Sequence, residues 1–202
     1  MADGRALRWA GHREQRRADF VTAALEVISR DGPQATVDAI ASARGVSRQA
    51  LYRQFDDRAD LDRAIAQRAA DDLVLAVVPA LDLTEDLEGS IRAALTAYLD
   101  HVEERISVYR FVRAHEASGA ATVVADVKGT VAYRVSTLAR DYLVQQGLGP
   151  VASVETFAVG VVGMADAVMN RWLNDPGQRP REAMVEDLVR MVAGVVRAVT
   201  GS

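Results

Sequence analysis

Apolar positions along this chain recur at intervals of three and four, the period of an amphipathic α-helix rather than of a strand. Phe20, Ala24, Val27 and Ile28 fall at i, i+4, i+7 and i+8 and predict a first helix from Arg13, stopped by Asp31-Gly32-Pro33. Thr36 is placed to cap a second helix, with Asp38 at its positive dipole end and Ile40 and Ala41 facing inward. Gly45 suits a turn that needs a positive φ. Ser47 then caps a third helix with Leu51 and Phe55 on its core face. Asp57-Arg58-Ala59-Asp60 has the form of a capping box, with Asp in place of Glu, and opens a fourth helix running toward Val78 and broken near Pro79.

The same spacing continues to the end. Ile91, Leu95, Tyr98, Leu99 and Val102 predict a fifth helix, Ile106 to Ala114 a sixth, and Val124 to Gln146 a seventh closed by Gly147. Ser153 caps an eighth that runs to Asn174 before Asp175-Pro176-Gly177, and Pro180 suits the first turn of a ninth. No alternating strand pattern of useful length appears, and no internal repeat. The expectation is an all-α chain of about nine helices. A three-helix head at residues 13–58 follows a flexible arm at 1–12 and precedes a helical body at 59–202.

The head carries the chemistry. Thr36 to Phe55 packs a short apolar helix, a glycine turn and a second helix into twenty residues, the build of a helix-turn-helix. Arg48 and Tyr52 are four apart, as are Gln49 and Arg53, so the four share a broad side of the third helix. In a major groove Arg48 pairs bidentately with guanine and Gln49 with adenine. Thr36, Ser47, Tyr52 and Arg58 are placed for phosphates, and an exposed Arg44 before the turn would join them. Ser47 would equally serve as a cap alone, and Tyr52 would equally pack its ring on the first helix.

Charge sharpens this division. The net charge of −4 splits into +3 over residues 1–55, from nine arginines against six acids, and −7 over residues 56–202, from fifteen basic against twenty-two acidic residues. Polyanion affinity is thereby concentrated at one end. Cysteine is absent, which removes a disulfide framework, a thiol nucleophile and thiolate metal ligands. Val154 to Leu173 is interrupted by Glu155, Asp166 and Arg171, which disfavours a membrane span, so a cytoplasmic location is expected. Lys128 is the only lysine, and arginine with abundant Ala and Val points to a GC-rich bacterial source.

The run TVDAIASARGVSRQALYRQF, preceded by AALEVISRDG and followed by DDRADL, resembles the TetR (tetracycline-repressor-like) family of bacterial regulators. The likeness covers roughly residues 18–61. It rests on Ala23-Ala24, Gly32, Thr36-Val37, Ile40-Ala41, Gly45-Val46-Ser47, Leu51-Tyr52, Phe55 and Leu61. Arg44 departs from it, since the family usually has alanine before the turn glycine. The resemblance implies an all-α effector-binding and dimerisation domain after the head, a four-helix bundle formed by the last two helices of each subunit, and repression as the mode of control.

A single small module buries too little DNA for specific regulation, so a homodimer reading a pseudo-palindrome is expected, with half-sites roughly 34–36 Å apart or a multiple of that. Phe157, Gly160, Val161, Gly163 and Met164 of the eighth helix are candidate interface residues, with Val185, Leu188, Val189, Val192 and Val196 of the ninth. Burial of these residues within one subunit is the competing reading. Leu95, Tyr98, His101, Tyr109, Phe111, His115, Tyr133, Met164, Val168 and Trp172 are the candidate pocket residues for a small hydrophobic or amphipathic effector. No P-loop, dinucleotide-binding fingerprint, nucleophile elbow or metal-ligand cluster is present, so neither a cofactor nor a metal is expected. A ligand-independent architectural DNA-binding protein and a small all-α enzyme are the alternatives. Adjacent acid pairs such as Asp71-Asp72 diverge around a helix and do not favour catalysis.

Overall fold

The structure is a computed structural model. It describes residues 4–81, 86–116, 120–145, 147, 154–175, 177 and 179–200, with side chains described from 13 to 197 within those ranges. Among them there are nine α-helices and no strand. These are α1 (Gly4–Asp31), α2 (Val37–Ala43), α3 (Arg48–Tyr52), α4 (Arg58–Val77), α5 (Leu87–Glu104), α6 (Ile106–Ala114), α7 (Ala120–Gln145), α8 (Val154–Asn174) and α9 (Arg181–Thr200). A 3₁₀ turn, Val78–Ala80, follows α4 at Pro79, where the ring removes a backbone donor.

Helix starts differ from expectation where apolar periodicity is absent. The first helix begins at Gly4 and not at Arg13, so most of the expected flexible arm is helical. Residues 5–17 are rich in Ala, Arg, Glu and Gln, whose propensity continues an established helix without an apolar stripe. By contrast, α7 starts at Ala120, four residues before Val124, and its added turn does bury apolar residues, Ala120 and Val123. Pro180 precedes α9 and does not enter its first turn; its carbonyl accepts from Met184 N at 3.1 Å. Gln146 and Ser153 lie outside the described residues.

The chain divides into two compact units, Met1–Asp71 with Glu104–Val124, and Asp72–Glu103 with Ala125–Ser202. The first is larger than the expected three-helix head. Its core gathers Phe20, Ala24, Val27 and Ile28 of α1, Val37 and Ile40 of α2, Leu51 of α3, Phe55, and Leu61 and Ile65 of α4. Val108 and Phe111 of α6 complete it. The apolar stripe of α1 is wider than α2 and α3 can cover, and α4 and α6 close what remains. Burial of a side chain the size of Ile40, Leu51 or Phe55, all at most 1% exposed, stabilises the folded unit by roughly 1.5–3 kcal/mol each.

The second unit buries Leu95 and Leu99 of α5, Ala158, Ala165, Met169 and Leu173 of α8, and Met184, Leu188, Val189 and Ala193 of α9. Ion pairs rim this core. Arg92 Nε meets Glu186 at 2.6 Å, Arg181 holds Asp100 and Glu103, and Lys128 meets Asp166 at 2.6 Å. No helix among the described residues is long and apolar enough to cross a membrane.

Candidate nucleic-acid interface

Two caps and a glycine turn shape this region. Thr36 is extended, and its Oγ1 accepts from Ala39 N at 3.2 Å, which starts α2. The helix ends in a Schellman arrangement: Val46 N donates to Ala41 O at 3.1 Å and Gly45 N to Ser42 O at 2.9 Å. Gly45 has φ +64°, a conformation that costs any residue with a Cβ. Ser47 Oγ then accepts from Ala50 N at 3.3 Å and starts the five-residue α3. Both expected caps and the expected turn glycine are where the sequence placed them.

Burial of Leu51 fixes which way α3 faces. Leu51 is fully buried, so Arg48, Gln49 and Arg53 are left exposed, with Tyr52 half-buried and packed against the core. Phe55 lies beyond the end of α3 yet is buried. Arg48 has its guanidinium 5.5 Å from the Tyr52 ring centroid and 3.5 Å from Asp38 Oδ2. Arg44 reaches Asp19 of α1 at 3.2 Å. These pairs are solvent-exposed and weak, which leaves both guanidinium groups available to a stronger anion.

The junction after α3 is held much more firmly. Asp57 Oδ1 accepts from Asp60 N at 2.7 Å, one half of the expected capping box. The other half is displaced by one residue, for Asp60 Oδ2 accepts from Asp56 N at 3.1 Å. Arg17 of α1 meets the same carboxylate bidentately at 2.6 and 2.9 Å, donates to Gln54 O at 2.9 Å, and lies 4.3 Å from the Phe55 ring centroid. That guanidinium holds the Asp60 carboxyl below its usual range, and Asp60 in turn raises Arg17. Arg58, first residue of α4, donates through Nε to Asp62 Oδ1 at 2.7 Å.

Sequence reasoning missed Arg17, Asp19 and Asp62, and gave Asp38 a helix-dipole role without its contact to Arg48. The Arg17–Asp60 pair joins residues 43 apart, and nothing local announces such a contact. Asp62 carried a weak signal, standing four residues after Arg58 on one helical face.

The other candidate residues are dispersed. Tyr109, Phe111 and His115 belong to the first unit, and Leu95, Tyr98, His101, Tyr133, Met164, Val168 and Trp172 to the second. Phe111 is spent on the core of the first unit, and Tyr133 is 74% exposed. Trp172 Nε1 donates to Arg179 O at 2.8 Å. Among the expected interface residues, Val185, Leu188, Val189 and Val192 are buried inside the chain itself. Phe157, Val161, Met164 and Val196 are half-buried. Gly160 and Gly163 are exposed, with nothing within 4 Å of an added Cβ. Among the described residues no group of three or more His, Asp or Glu is placed to hold a metal.

Comparison with known proteins matches both parts of the chain. Residues 20–69 match the model for bacterial regulatory proteins of the tetR family. Residues 76–202 match the tetracyclin repressor-like C-terminal domain. The chain is 31% identical to the uncharacterized HTH-type transcriptional regulator Rv0472c of Mycobacterium tuberculosis, over 86% of this chain and 74% of that protein. It is 33% identical to the HTH-type transcriptional activator FasR of Mycolicibacterium smegmatis, over 90% of this chain and 83% of that protein. Its fold is that of a tetR-family transcriptional regulator from Streptomyces coelicolor, with a TM-score of 0.69 at 24% identity, covering 91% of this chain and 83% of the other.

Proposed function

The chain belongs to the tetR family of bacterial regulatory proteins, and on that premise we propose that it is a ligand-responsive repressor that binds a pseudo-palindromic operator as a homodimer. Regulators of this family bind DNA operators and small-molecule ligands, typically as dimers. The observation that carries the reading is the outward presentation of Arg48 and Gln49, and of the C-cap Arg53, by a helix whose Leu51 is locked in the core. In this reading Arg48 takes guanine and Gln49 adenine, while Thr36, Arg44, Ser47, Tyr52 and Arg58 hold phosphates.

An exposed strip of small and apolar residues supports the dimer. Val159, Gly160, Gly163 and Ala167 of α8 follow one another at helical spacing, as do Met191, Gly194 and Val195 of α9. Two mid-helix glycines in α8 cost roughly 1 kcal/mol each relative to alanine, a cost that close approach of another helix would offset. Half-buried Tyr98, His101, Met164, Val168 and Trp172 in the second unit support a hydrophobic or amphipathic effector. The effector prefers a state in which the two heads no longer match the half-site spacing, and its binding releases DNA.

Selection of bound sequences from a random DNA pool tests the reading. A palindromic motif is the expected result; recovery of no motif, with or without a panel of amphipathic ligands, would remove it and favour an architectural role. FasR is named as an activator, so a promoter-reporter assay with and without this protein fixes the sign, repression being the expected outcome.

A further inference from the structure

The first unit buries one charge that the DNA-facing reading does not use. Asp62 stands one turn after Arg58 in α4, and its side chain is only 2% exposed. A carboxylate removed from water is tolerated when cations and hydrogen bonds meet its oxygens. Here a guanidinium and an imidazole approach it from different helices. Arg58 Nε donates to Oδ1 at 2.7 Å, and His115 Nε2, at the C-terminal end of α6, lies 4.0 Å from Oδ2.

The position of His115 is well defined. Its ring stacks on Phe111 with centroids 4.2 Å apart and 26° between planes, and its Nδ1 is 2.8 Å from the Phe111 carbonyl oxygen. A carbonyl oxygen only accepts, so Nδ1 carries the hydrogen of this bond. Nε2 then offers Asp62 a hydrogen only when the ring is an imidazolium. The manner of the Arg58 contact matters equally. Asp62 engages Nε, which leaves the two terminal nitrogens of a side chain that is 37% exposed to form a fork for phosphate oxygens.

We propose that Asp62 is a positioning residue that presents Arg58 to a DNA backbone phosphate, and that His115 shares this carboxylate and thereby tunes the presentation. The proposal deepens, and rests on, the reading of Arg58 as a phosphate contact. With a neutral ring the three side chains sum to zero charge; with an imidazolium they sum to +1. Protonation of His115 and operator binding are therefore linked, and affinity rises as pH falls. The charged residues flanking His115 in the chain are Arg113 of α6 and Glu116 just beyond it, which pair with each other at 2.8 Å. The residues of α1 that share the core with Phe111, such as Phe20 and Val27, are apolar.

Operator affinity of the full chain, measured by fluorescence anisotropy from about pH 8 to about pH 6 at fixed salt, tests this. The wild type should tighten toward low pH, and His115→Gln should flatten the profile. A profile that keeps its slope in His115→Gln overturns the role of His115. Arg58→Ala should weaken binding roughly tenfold and lower the salt slope by about one. Asp62→Asn should weaken operator binding in the wild-type background and have little further effect in Arg58→Ala. Equal losses in both backgrounds would make Asp62 a purely structural residue and end the positioning role. An unchanged affinity in Arg58→Ala would instead remove the phosphate contact beneath it, a distinguishable failure. Should Asp62→Asn not fold by circular dichroism, the His115→Gln profile alone decides.

Discussion

Replacing Arg17 by methionine keeps the aliphatic packing of this side chain and removes its charge, so it isolates the clamp between α1 and the start of α4. Three hydrogen bonds are lost, two to Asp60 and one to Gln54 O, together with the contact over Phe55. Charged hydrogen bonds contribute about 1.5–3 kcal/mol each when shielded from water. Arg17 is 35% and Asp60 17% exposed at the side chain, and solvent screening reduces the sum considerably. Asp60 also keeps the Asp56 N–H at 3.1 Å and Arg63 at 3.6 Å, so no orphaned charge is created. A net loss of about 1–2 kcal/mol follows, or roughly 2–8 °C in melting temperature for a chain of this size. The assay is urea unfolding followed by circular dichroism at one fixed protomer concentration. Its pH dependence identifies the cause. Because the Asp60 carboxyl is held below its ordinary range, the stability it contributes is present above about pH 4 and is lost as pH falls through the lowered value. The raised Arg17 loses its contribution only in strong alkali and adds no slope between these limits. The gap between wild type and Arg17→Met should thus be constant near neutrality and close in acid. No gap at pH 7, or one undiminished well below the Asp60 range, would refute the ion-pair account.

Other perturbations probe other links. Leu51→Ala empties a fully buried site, so it should cost about 2–5 kcal/mol by urea unfolding and weaken operator binding with it. Gly45→Val should cost roughly 1–2 kcal/mol through the backbone alone, since φ is +64° while nothing lies within 4 Å of an added Cβ. A variant as stable as wild type would discredit the turn geometry. Gly163→Ala meets open space within the chain, so a lone subunit should gain up to about 1 kcal/mol of helix stability. In a dimer packed through α8 the same methyl should raise the dissociation constant measured by sedimentation equilibrium. Unchanged association would place the interface elsewhere.

Local chemistry was legible in the head because its signals are local. Thr36, Ser47 and Gly45 act on backbone within three or four residues, and the heptad-like spacing of Phe20, Ala24, Val27 and Ile28 needs only one partner surface to be meaningful. The extent of α1 was not legible, since its polar first turns carry no stripe to read. The fate of α9 was half legible. Its apolar face is wider than one neighbour needs, but spacing does not say which residues the chain buries itself. The structure assigns Val185, Leu188, Val189 and Val192 to the chain's own core and leaves Met191 and Val195 outside, about half exposed.

By itself, then, the sequence determined the succession of helices, the caps Thr36 and Ser47, the turn at Gly45 and the residues on the exposed side of the helix-turn-helix, because periodicity and capping are short-range properties of a chain. Tertiary structure alone decided that α4 and α6 close the head's core, that Arg17 clamps Asp60 across 43 residues, and that Asp62 is buried between Arg58 and His115. Such choices follow from which apolar faces remain uncovered once neighbouring helices have packed, and from which charges burial then compels to pair.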